Sequence, residues 1–491
     1  MGWIRTYRFR RSTVIMVLCL SFLAGVGTAR SGYDANAIWP VLILLSLLPV
    51  WRRQTLLALC LVLMFGLSLG LLRGSLYMQK LADYEPLLDQ KVTITAQATE
   101  DAVYGKTKQL SFAANNIMLD NGKRLTGKVQ LSGFGVNAVF DGDVVAATGK
   151  LRQGFSAYQG RMSFAQLHVV EHHPSMIAET RRKFVSGMRT ALPEPLASFV
   201  MGLLVGQRAT LPDEVKQDLL MVGLTHIIAV SGYNLTIILH ASKKLLGGRS
   251  KRISTWLSLA LIGVFLMLAG ASASIVRAAI VSVLSIAASY YGRSFRPLTL
   301  LSFAAAITVW ANPFYLWSDL SWYLSFLAFY GVMVLAPLVQ KRWPARWHQT
   351  LIGGVALESV CAEIMSLPFV LHIFGQMSLI GLPANVLVVT LVPLAMLLGL
   401  IAGLAGMFVG LIAGWLAWPA VLLLNYMLDI AHVMAHFPHI FVENRSLPLS
   451  LMLCLYGLII VITTTLWHKT KSSRPDIITD INQPKTGGLL A

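Results

Sequence analysis

Long uninterrupted runs of apolar residues occupy most of the chain, and one central, more polar segment separates them into two groups. A helix that crosses a bilayer needs about 20 mostly apolar residues. The runs therefore predict a polytopic α-helical membrane protein with about 12 transmembrane helices. We place these helices at residues 13–29, 37–50, 55–78, 219–240, 253–270, 272–290, 298–314, 322–339, 350–374, 378–399, 401–424 and 447–467.

Residues 80–175 have a different pattern, in which apolar and polar residues alternate over short stretches. The alternation is visible at 92–95 and 128–131, and turn signals such as Asn121-Gly122 separate these stretches. A period of two residues is typical of β-strands. About five short strands match the size of an OB-fold, and a plain β-sandwich would give a similar pattern. The segment predicts an inserted all-β domain, which we interpret as OB-like.

These two patterns divide the chain into consecutive parts. They are N-terminal transmembrane helices at 1–79, the β domain at 80–175, a linker with interfacial or re-entrant helices at 176–218, a transmembrane domain at 219–467 and a tail at 468–491. The apolar stretch 196–206 is too short to cross a bilayer, so we assign it to the interface or to a re-entrant turn.

Basic residues orient the predicted helices, because Lys and Arg collect on the cytoplasmic side of a membrane. The clusters lie at residues 5–11, 52–53, 243–252, 341–346 and 469–474. All of them fall on one side if the predicted helices cross the membrane in alternation. We therefore expect both termini in the cytoplasm and the β domain outside it.

Composition supports a membrane protein and leaves its ligand open. Hydrophobic residues make up 56% of the 491 residues and charged residues 13%, whereas a soluble domain carries about 25% charge. The net charge of +18 suits an anionic partner such as nucleic acid or lipid headgroups. Cytoplasmic loops collect Lys and Arg regardless of substrate, so the charge alone does not identify a ligand.

Polar residues interrupt the predicted helix 219–240 at His226, Ser231-Gly232 and Asn234. A helix break inside the membrane is tolerated where it is buried in protein or lines a cavity. Backbone N–H groups that a break leaves free can bind phosphate. The alternative is a Ser/His hydrolase site, but Ser231 lacks the Gly-x-Ser-x-Gly setting.

Arg277 lies inside a predicted spanning helix, where an arginine is costly unless it faces protein or water. It is either a cation that lines an aqueous path for a polyanion or a structural arginine near a membrane surface. Glu358 and Glu363, in the helix 350–374, are intramembrane carboxylates. They indicate an ion or proton path, or they pair with Arg277.

The segment 425–446 presents acidic residues and histidines on one helical face. These residues are Asp429, His432, His436, His439 and Glu443. Histidines four residues apart can bind zinc. We favour an amphipathic helix at the membrane surface, because apolar residues interleave with the polar ones. We therefore expect neither a metal nor another cofactor.

Several motifs follow one another in a fixed order over about residues 199–400. They are Phe199–Arg208, Gly223–Gly232, Ser274–Ala278, Asn312–Ala328 and Phe374–Asn385. Their order and spacing resemble those of the ComEC competence family. The β domain is similar to the extracytoplasmic OB-like region of that family. The resemblance covers most of the chain.

The resemblance implies an inner-membrane channel that carries single-stranded DNA into the cytoplasm during natural transformation. Residues of the matching motifs would line the DNA path, namely His226, Ser231, Gly232, Asn234, Arg277, Asp319, Ser325, Gln376 and Asn385. The implied partners are single-stranded DNA, the lipid bilayer, a DNA receptor, a cytoplasmic motor protein and a separate nuclease. No nucleotide-binding motif is present in the sequence, so we expect another protein or an ion gradient to supply the energy.

The sequence departs from the family pattern at three points. Asn234 replaces a second histidine, and Trp322-Tyr323 stands where the family carries a glutamine. The His-x-His-x-Asp-His motif of the family's metallo-β-lactamase-like domain does not occur. We therefore expect a channel and not an enzyme. The alternatives are a transporter of another solute that uses Glu358 and Glu363, and a membrane-embedded hydrolase.

Overall fold

The structure is a computed structural model that describes most of the chain. The described residues are 10–32, 36, 38–47, 56–105, 109–173, 176–206, 210–228, 250–269, 273–292, 296–342, 351–443 and 446–472. Contacts divide the chain into two units, of which the first comprises Met1–Phe326 with Ser378–Phe441 and the second Leu327–Met377 with Val442–Ala491.

Helices make up most of both units. They are α1 (Arg11–Ala29), α2 (Ile38–Leu47), α3 (Leu56–Leu81), α4 (Met176–Ala191), α5 (Leu196–Val205), α6 (Asp213–Met221), α7 (Thr225–Ile228), α8 (Lys251–Ala269), α9 (Ala273–Tyr290), α10 (Pro297–Ala311), α11 (Phe314–Ser318), α12 (Leu320–Tyr330), α13 (Ala336–Gln340), α14 (Leu351–Phe374), α15 (Gly381–Val388), α16 (Val392–Phe408), α17 (Ala413–Ala435) and α18 (Leu449–Ser472). Among the described residues, seven helical segments are long and apolar enough to cross a membrane. The expected number of about 12 spans is not confirmed.

The first of these helices pack through glycines. In α3, Gly66, Gly70 and Gly74 recur every four residues and face α1. A Cβ atom at Gly70 would collide with the main-chain carbonyl of Phe22 in α1. Small residues at this spacing let two helix backbones approach closely. The contact between α1 and α3 is therefore one of backbone against backbone.

The polar segment folds into a β domain within the first unit. Its strands are β1 (Lys91–Ala98), β2 (Val103–Tyr104), β3 (Leu110–Leu119), β4 (Arg124–Leu125), β5 (Val129–Phe134), β6 (Val144–Gln153) and β7 (Gly160–Glu171). Two further short strands lie at Met377–Ser378 and Phe441–Val442. The predicted all-β segment is confirmed as a mixed sheet domain inserted between α3 and α4.

The pairing of the longer strands closes a ring. Strand β1 pairs antiparallel with β6 and with β3, and β6 pairs antiparallel with β7. Strand β5 pairs antiparallel with β3 and parallel with β7, which completes the circuit. Alternate residues point inward, as at Ile94, Leu131 and Leu151, which are all buried. The alternation of apolar and polar residues in the sequence arises because the apolar residues point to this inner face.

Another group of helices in the first unit shares an apolar core built mainly from α4, α5, α16 and α17. All residues of α5 are buried, so protein encloses this short helix. Helix α4 reaches α16 where Gly187 meets Gly406, and a Cβ atom at Gly406 would overlap the carbonyl of Gly187. The enclosure of α5 explains how a helix too short to span can still be wholly apolar.

Two helix boundaries differ from the hydropathy prediction. The apolar run that we divided into 378–399 and 401–424 instead forms α15 and α16 and then α17, with the break at 409–412. Helix α17 continues to Ala435 and takes in much of the expected surface helix 425–446. The run is apolar on both sides of the break, so hydropathy could not locate it.

The second unit is a smaller helical cluster. It contains α13, α14 and α18 and the end of α12, with a short π-helical stretch at Gly331–Leu335. Gly331 lets this stretch pack on α14, since a Cβ atom there would collide with the carbonyl of Cys361. The hydroxyl of Tyr456 in α18 donates to the Met365 carbonyl at 3.0 Å. This glycine contact, the hydrogen bond and an apolar cluster that includes Leu335, Cys361 and Met365 hold these helices together.

Candidate functional site

Arg277 and Asp319 form a buried ion pair in the first unit. Arg277 lies in the first half of α9, and Asp319 lies between α11 and α12. Each residue is only 1% exposed. Arg277 Nη1 is 3.6 Å from Asp319 Oδ2. Two residues that sequence reasoning placed on a DNA path are therefore direct partners, and neither Glu358 nor Glu363 is needed to balance the arginine.

Ser321 connects the two charges. Arg277 Nη2 donates to the carbonyl oxygen of Ser321 at 3.0 Å and to its hydroxyl at 2.8 Å. The Ser321 N–H in turn donates to Asp319 Oδ1 at 3.0 Å. A carboxylate that accepts an N–H in the first turn stabilises a helix start. The first turn of α12 thus fixes the aspartate and holds the arginine.

The β domain also contacts this pair. Ser156, in the loop between β6 and β7, donates through its hydroxyl to Asp319 Oδ1 at 3.5 Å. Ser156 adopts a positive φ of 57°, a region that non-glycine residues seldom occupy. One carboxylate therefore links helix α9, the start of α12 and a loop of the β domain.

Part of the hydrogen-bonding capacity of the pair is unused. Among the described protein atoms, Arg277 Nε and Nη1 and Asp319 Oδ2 have no hydrogen-bond partner. Buried polar groups are nearly always satisfied, and exceptions occur where function requires them or where water or an ion binds. The arginine retains donors that can bind an anionic or polar group.

His226 lies elsewhere in the first unit, on the short helix α7. Its Nδ1 is 3.1 Å from the carbonyl oxygen of Gly223. A carbonyl only accepts, so this nitrogen carries the proton and Nε2 can accept from another group. Gly223 has a positive φ of 80° and ends the preceding helical turn. His226 is exposed and held by its own turn.

The other predicted path residues are dispersed. Ser231, Gly232 and Asn234 lie outside the described residues. Ser325 is half-buried in α12, and Asn385 is buried in α15 with no partner for Oδ1 among the described atoms. No hydrogen bond or ion pair between described residues joins His226, Ser325 or Asn385 to Arg277. Gln376 belongs to the second unit and is half-buried.

Sequence reasoning missed Ser156 and Ser321. Ser321 stands two residues after Asp319, a spacing at which an aspartate commonly accepts a backbone N–H at a helix start. That signal was available in the sequence. Ser156 lies in a loop of another domain, and nothing in the local sequence indicates its contact with Asp319.

Two aromatic rings form an exposed pair on the β domain. Phe134 is 47% exposed and Phe164 69% exposed, and their ring centroids are 6.4 Å apart. Phe164 has a positive φ of 58°, which is strained for a bulky residue, and its N–H donates to Gln109 Oε1 at 3.1 Å.

Two other aromatic residues of the β domain, Tyr104 and Phe140, are engaged within the protein. The guanidinium of Arg182 lies 4.5 Å from the ring centroid of Phe140. The Tyr104 hydroxyl donates to the Asn137 carbonyl at 2.8 Å. Beside Phe140, burial raises the pKa of the Asp141 carboxyl, an effect that the charge of Arg181 opposes. These contacts hold parts of the β domain together and attach the domain to α4, whereas Phe134 and Phe164 face solvent.

Comparison with known proteins found a family that matches the chain and a protein that is similar to it. A family model described as "Competence protein" matches residues 203–469, which is more than half of the chain. The ComE operon protein 3 of Bacillus subtilis (strain 168) is 26% identical over 235 residues, which are 48% of this chain and 29% of that relative. The match thus spans less than a third of the relative's length. No solved structure gave a significant match.

Proposed function

Because the chain belongs to the Competence protein family, we propose that it is a cytoplasmic-membrane channel that carries single-stranded DNA into the cell during natural transformation. A DNA strand carries a negative charge at every nucleotide and cannot enter hydrocarbon unaided. Passage requires a polar route with cations or free donors. We propose that the first unit supplies this route.

The observation that carries the proposal is the buried pair of Arg277 and Asp319. A membrane protein retains buried charges at a cost, and they often mark ion or substrate pathways. The donors that Arg277 leaves unused suit phosphate oxygens. The contact from Ser156 places a loop of the β domain against the same carboxylate. A strand held by the β domain would therefore arrive close to the arginine.

We further propose that the β domain is OB-like and lies outside the cytoplasm, where it receives the strand. The closed ring of five longer strands, with one parallel pair between β5 and β7, supports this assignment. OB-folds hold single strands by stacking bases on aromatic rings. The exposed pair Phe134 and Phe164 offers such rings. The positions of the basic clusters support a cytoplasmic location for both termini.

The function itself is tested by deleting the gene in a transformable host and following labelled DNA. We expect label to stay outside the cytoplasm and transformants to fall to the level seen without added DNA. A plasmid copy should restore both. Undiminished entry of label into the cytoplasm of the deletion strain would exclude the channel role.

Transport of another solute is the second candidate, and one observation favours it. Glu363 in α14 has a buried Oε2 with no hydrogen-bond partner among the described atoms. Intramembrane carboxylates can carry protons in transporters. The deletion strain separates the candidates, because loss of a transporter of another solute should leave entry of labelled DNA into the cytoplasm unchanged.

Strand binding by the β domain gives a further prediction. Replacing both Phe134 and Phe164 by alanine should weaken binding of a fluorescent single strand to the purified full chain by about 10-fold or more, because stacking contributes roughly 1–3 kcal/mol per base. Val170, which is 58% exposed on the same domain and outside both the pair and the Ser156 loop, is the control. Equal affinities for the double variant and for Val170→Ala would contradict this role of the pair.

A further inference from the structure

We propose that Asp218, His432 and His436 bind a divalent cation of the zinc class. Asp218 lies in the last turn of α6, and the two histidines lie at the C-terminal end of α17. One ligand atom from each residue lies within 4.8 Å of the other two. The cluster is separate from Arg277 and His226, and the proposal does not depend on the transport of DNA.

The hydrogen bonds leave ligand atoms in the right protonation state. His436 Nδ1 is 2.8 Å from the carbonyl oxygen of His432, so it carries a proton and Nε2 keeps its lone pair. His432 Nδ1 is 2.8 Å from Asp218 Oδ2. Asp218 either joins the metal directly or orients His432, as carboxylates commonly do for metal-bound histidines. Both arrangements present two imidazoles to one ion.

The surroundings favour a cation. Glu214 and Asp429 line the same cavity of about 140 Å³ as Asp218 and His432. Carboxylates around a site attract a divalent ion and oppose its loss. The Asp218 side chain is 14% exposed and that of His432 53% exposed, so the ion can enter from solvent. The cluster is therefore accessible and surrounded by negative charge.

An ordinary ion pair explains only part of this geometry. A contact between Asp218 and His432 needs no second histidine, yet the rings of His432 and His436 lie with centroids 4.4 Å apart. Two histidines with one carboxylate are a known zinc ligand set that leaves a position open for water or substrate.

The sequence could show only two of the three residues of this cluster. His432 and His436 were visible on one helical face, where we expected a surface helix without metal. The third group, Asp218, lies 214 residues earlier in the chain. His439 shares the predicted face, but it follows the end of α17 and has a positive φ of 60°. The third group of the cluster is thus a carboxylate from another helix, and His439 lies outside the cluster.

Zinc binding to the full chain tests the proposal directly. Protein purified in detergent and stripped with a chelator is titrated with Zn²⁺ in a calorimeter, and bound metal is counted by mass spectrometry. We expect about one ion per chain, and affinities at least about 10-fold lower for His436→Ala and for Asp218→Asn. His439→Ala, a neighbouring histidine outside the cluster, is the matched control and should bind as the wild type does.

A second measurement keeps the test decisive if a variant folds poorly. Co²⁺ added to the stripped wild-type chain should give the visible absorption of a cobalt site with nitrogen and oxygen ligands, and excess Zn²⁺ should remove it. Absence of this absorption, or zinc binding that is equal in His436→Ala and His439→Ala, overturns the proposal. Loss of zinc with normal DNA uptake would leave the channel proposal intact and show that the metal serves another role.

Discussion

Replacing Arg277 by methionine should deplete the protein from the membrane and abolish DNA uptake. The carboxylate of Asp319 would remain at 1% exposure with its cationic partner gone. Removing one member of a buried ion pair typically costs about 3–5 kcal/mol, because the other charge is left uncompensated. That loss is a large fraction of the stability of an ordinary domain. Asp319→Leu should have a similar effect, since it leaves Arg277 unpaired.

The double variant Arg277→Met with Asp319→Leu separates stability from function. Replacing both buried charges by apolar residues of similar size is often neutral or stabilising. We therefore expect the double variant to reach the membrane at nearly normal abundance, as measured by immunoblot and by thermal unfolding in detergent. If the pair lies on the DNA path, this folded protein still fails to take up DNA. Normal transformation by the double variant would reduce the pair to a structural role.

Replacing His226 by alanine should lower DNA uptake while leaving abundance unchanged. His226 is exposed, and its hydrogen bond to the Gly223 carbonyl stays within its own turn. Removal of the side chain should therefore change the free energy of unfolding by less than about 0.5 kcal/mol. A hydrogen bond to a charged group contributes about 1.5–3 kcal/mol, so loss of one phosphate contact predicts a decrease of roughly 10- to 100-fold.

Thr225 provides the control for this experiment. It is the exposed neighbour of His226 on α7 and is not one of the predicted path residues. Transformation frequency is measured for Thr225→Ala and His226→Ala at equal protein abundance. Thr225→Ala should behave as the wild type. A normal frequency for His226→Ala would remove this residue from the DNA path.

Local patterns predicted the large features of the fold because each pattern has a local cause. The alternation at 80–175 reports strands whose alternate residues point inward, and the observed strands β1 to β7 lie within that range. Long apolar runs identified the helical regions for the same reason. The break between Phe408 and Ala413 was missed, because residues on both sides are apolar and backbone geometry decides where the helix ends.

The candidate site was only partly predictable. Arg277 stood out because an arginine in an apolar helix requires an explanation. Its partner Asp319 was named by resemblance, but nothing in the sequence shows that the two side chains meet. The contacts of Ser156 and Asp218 join residues far apart in the chain, and only the fold brings them together. Sequence reasoning therefore found individual residues and not their pairings.

The glycine contact between α1 and α3 limits how the protein can move. Because the backbones touch at Gly70 and Phe22, neither helix can slide or rotate without a collision. We therefore expect the two helices to move together. If the protein is the channel proposed above, a crosslink that fuses α1 to α3 should leave DNA uptake intact, because the opening for a nucleotide would lie among other helices.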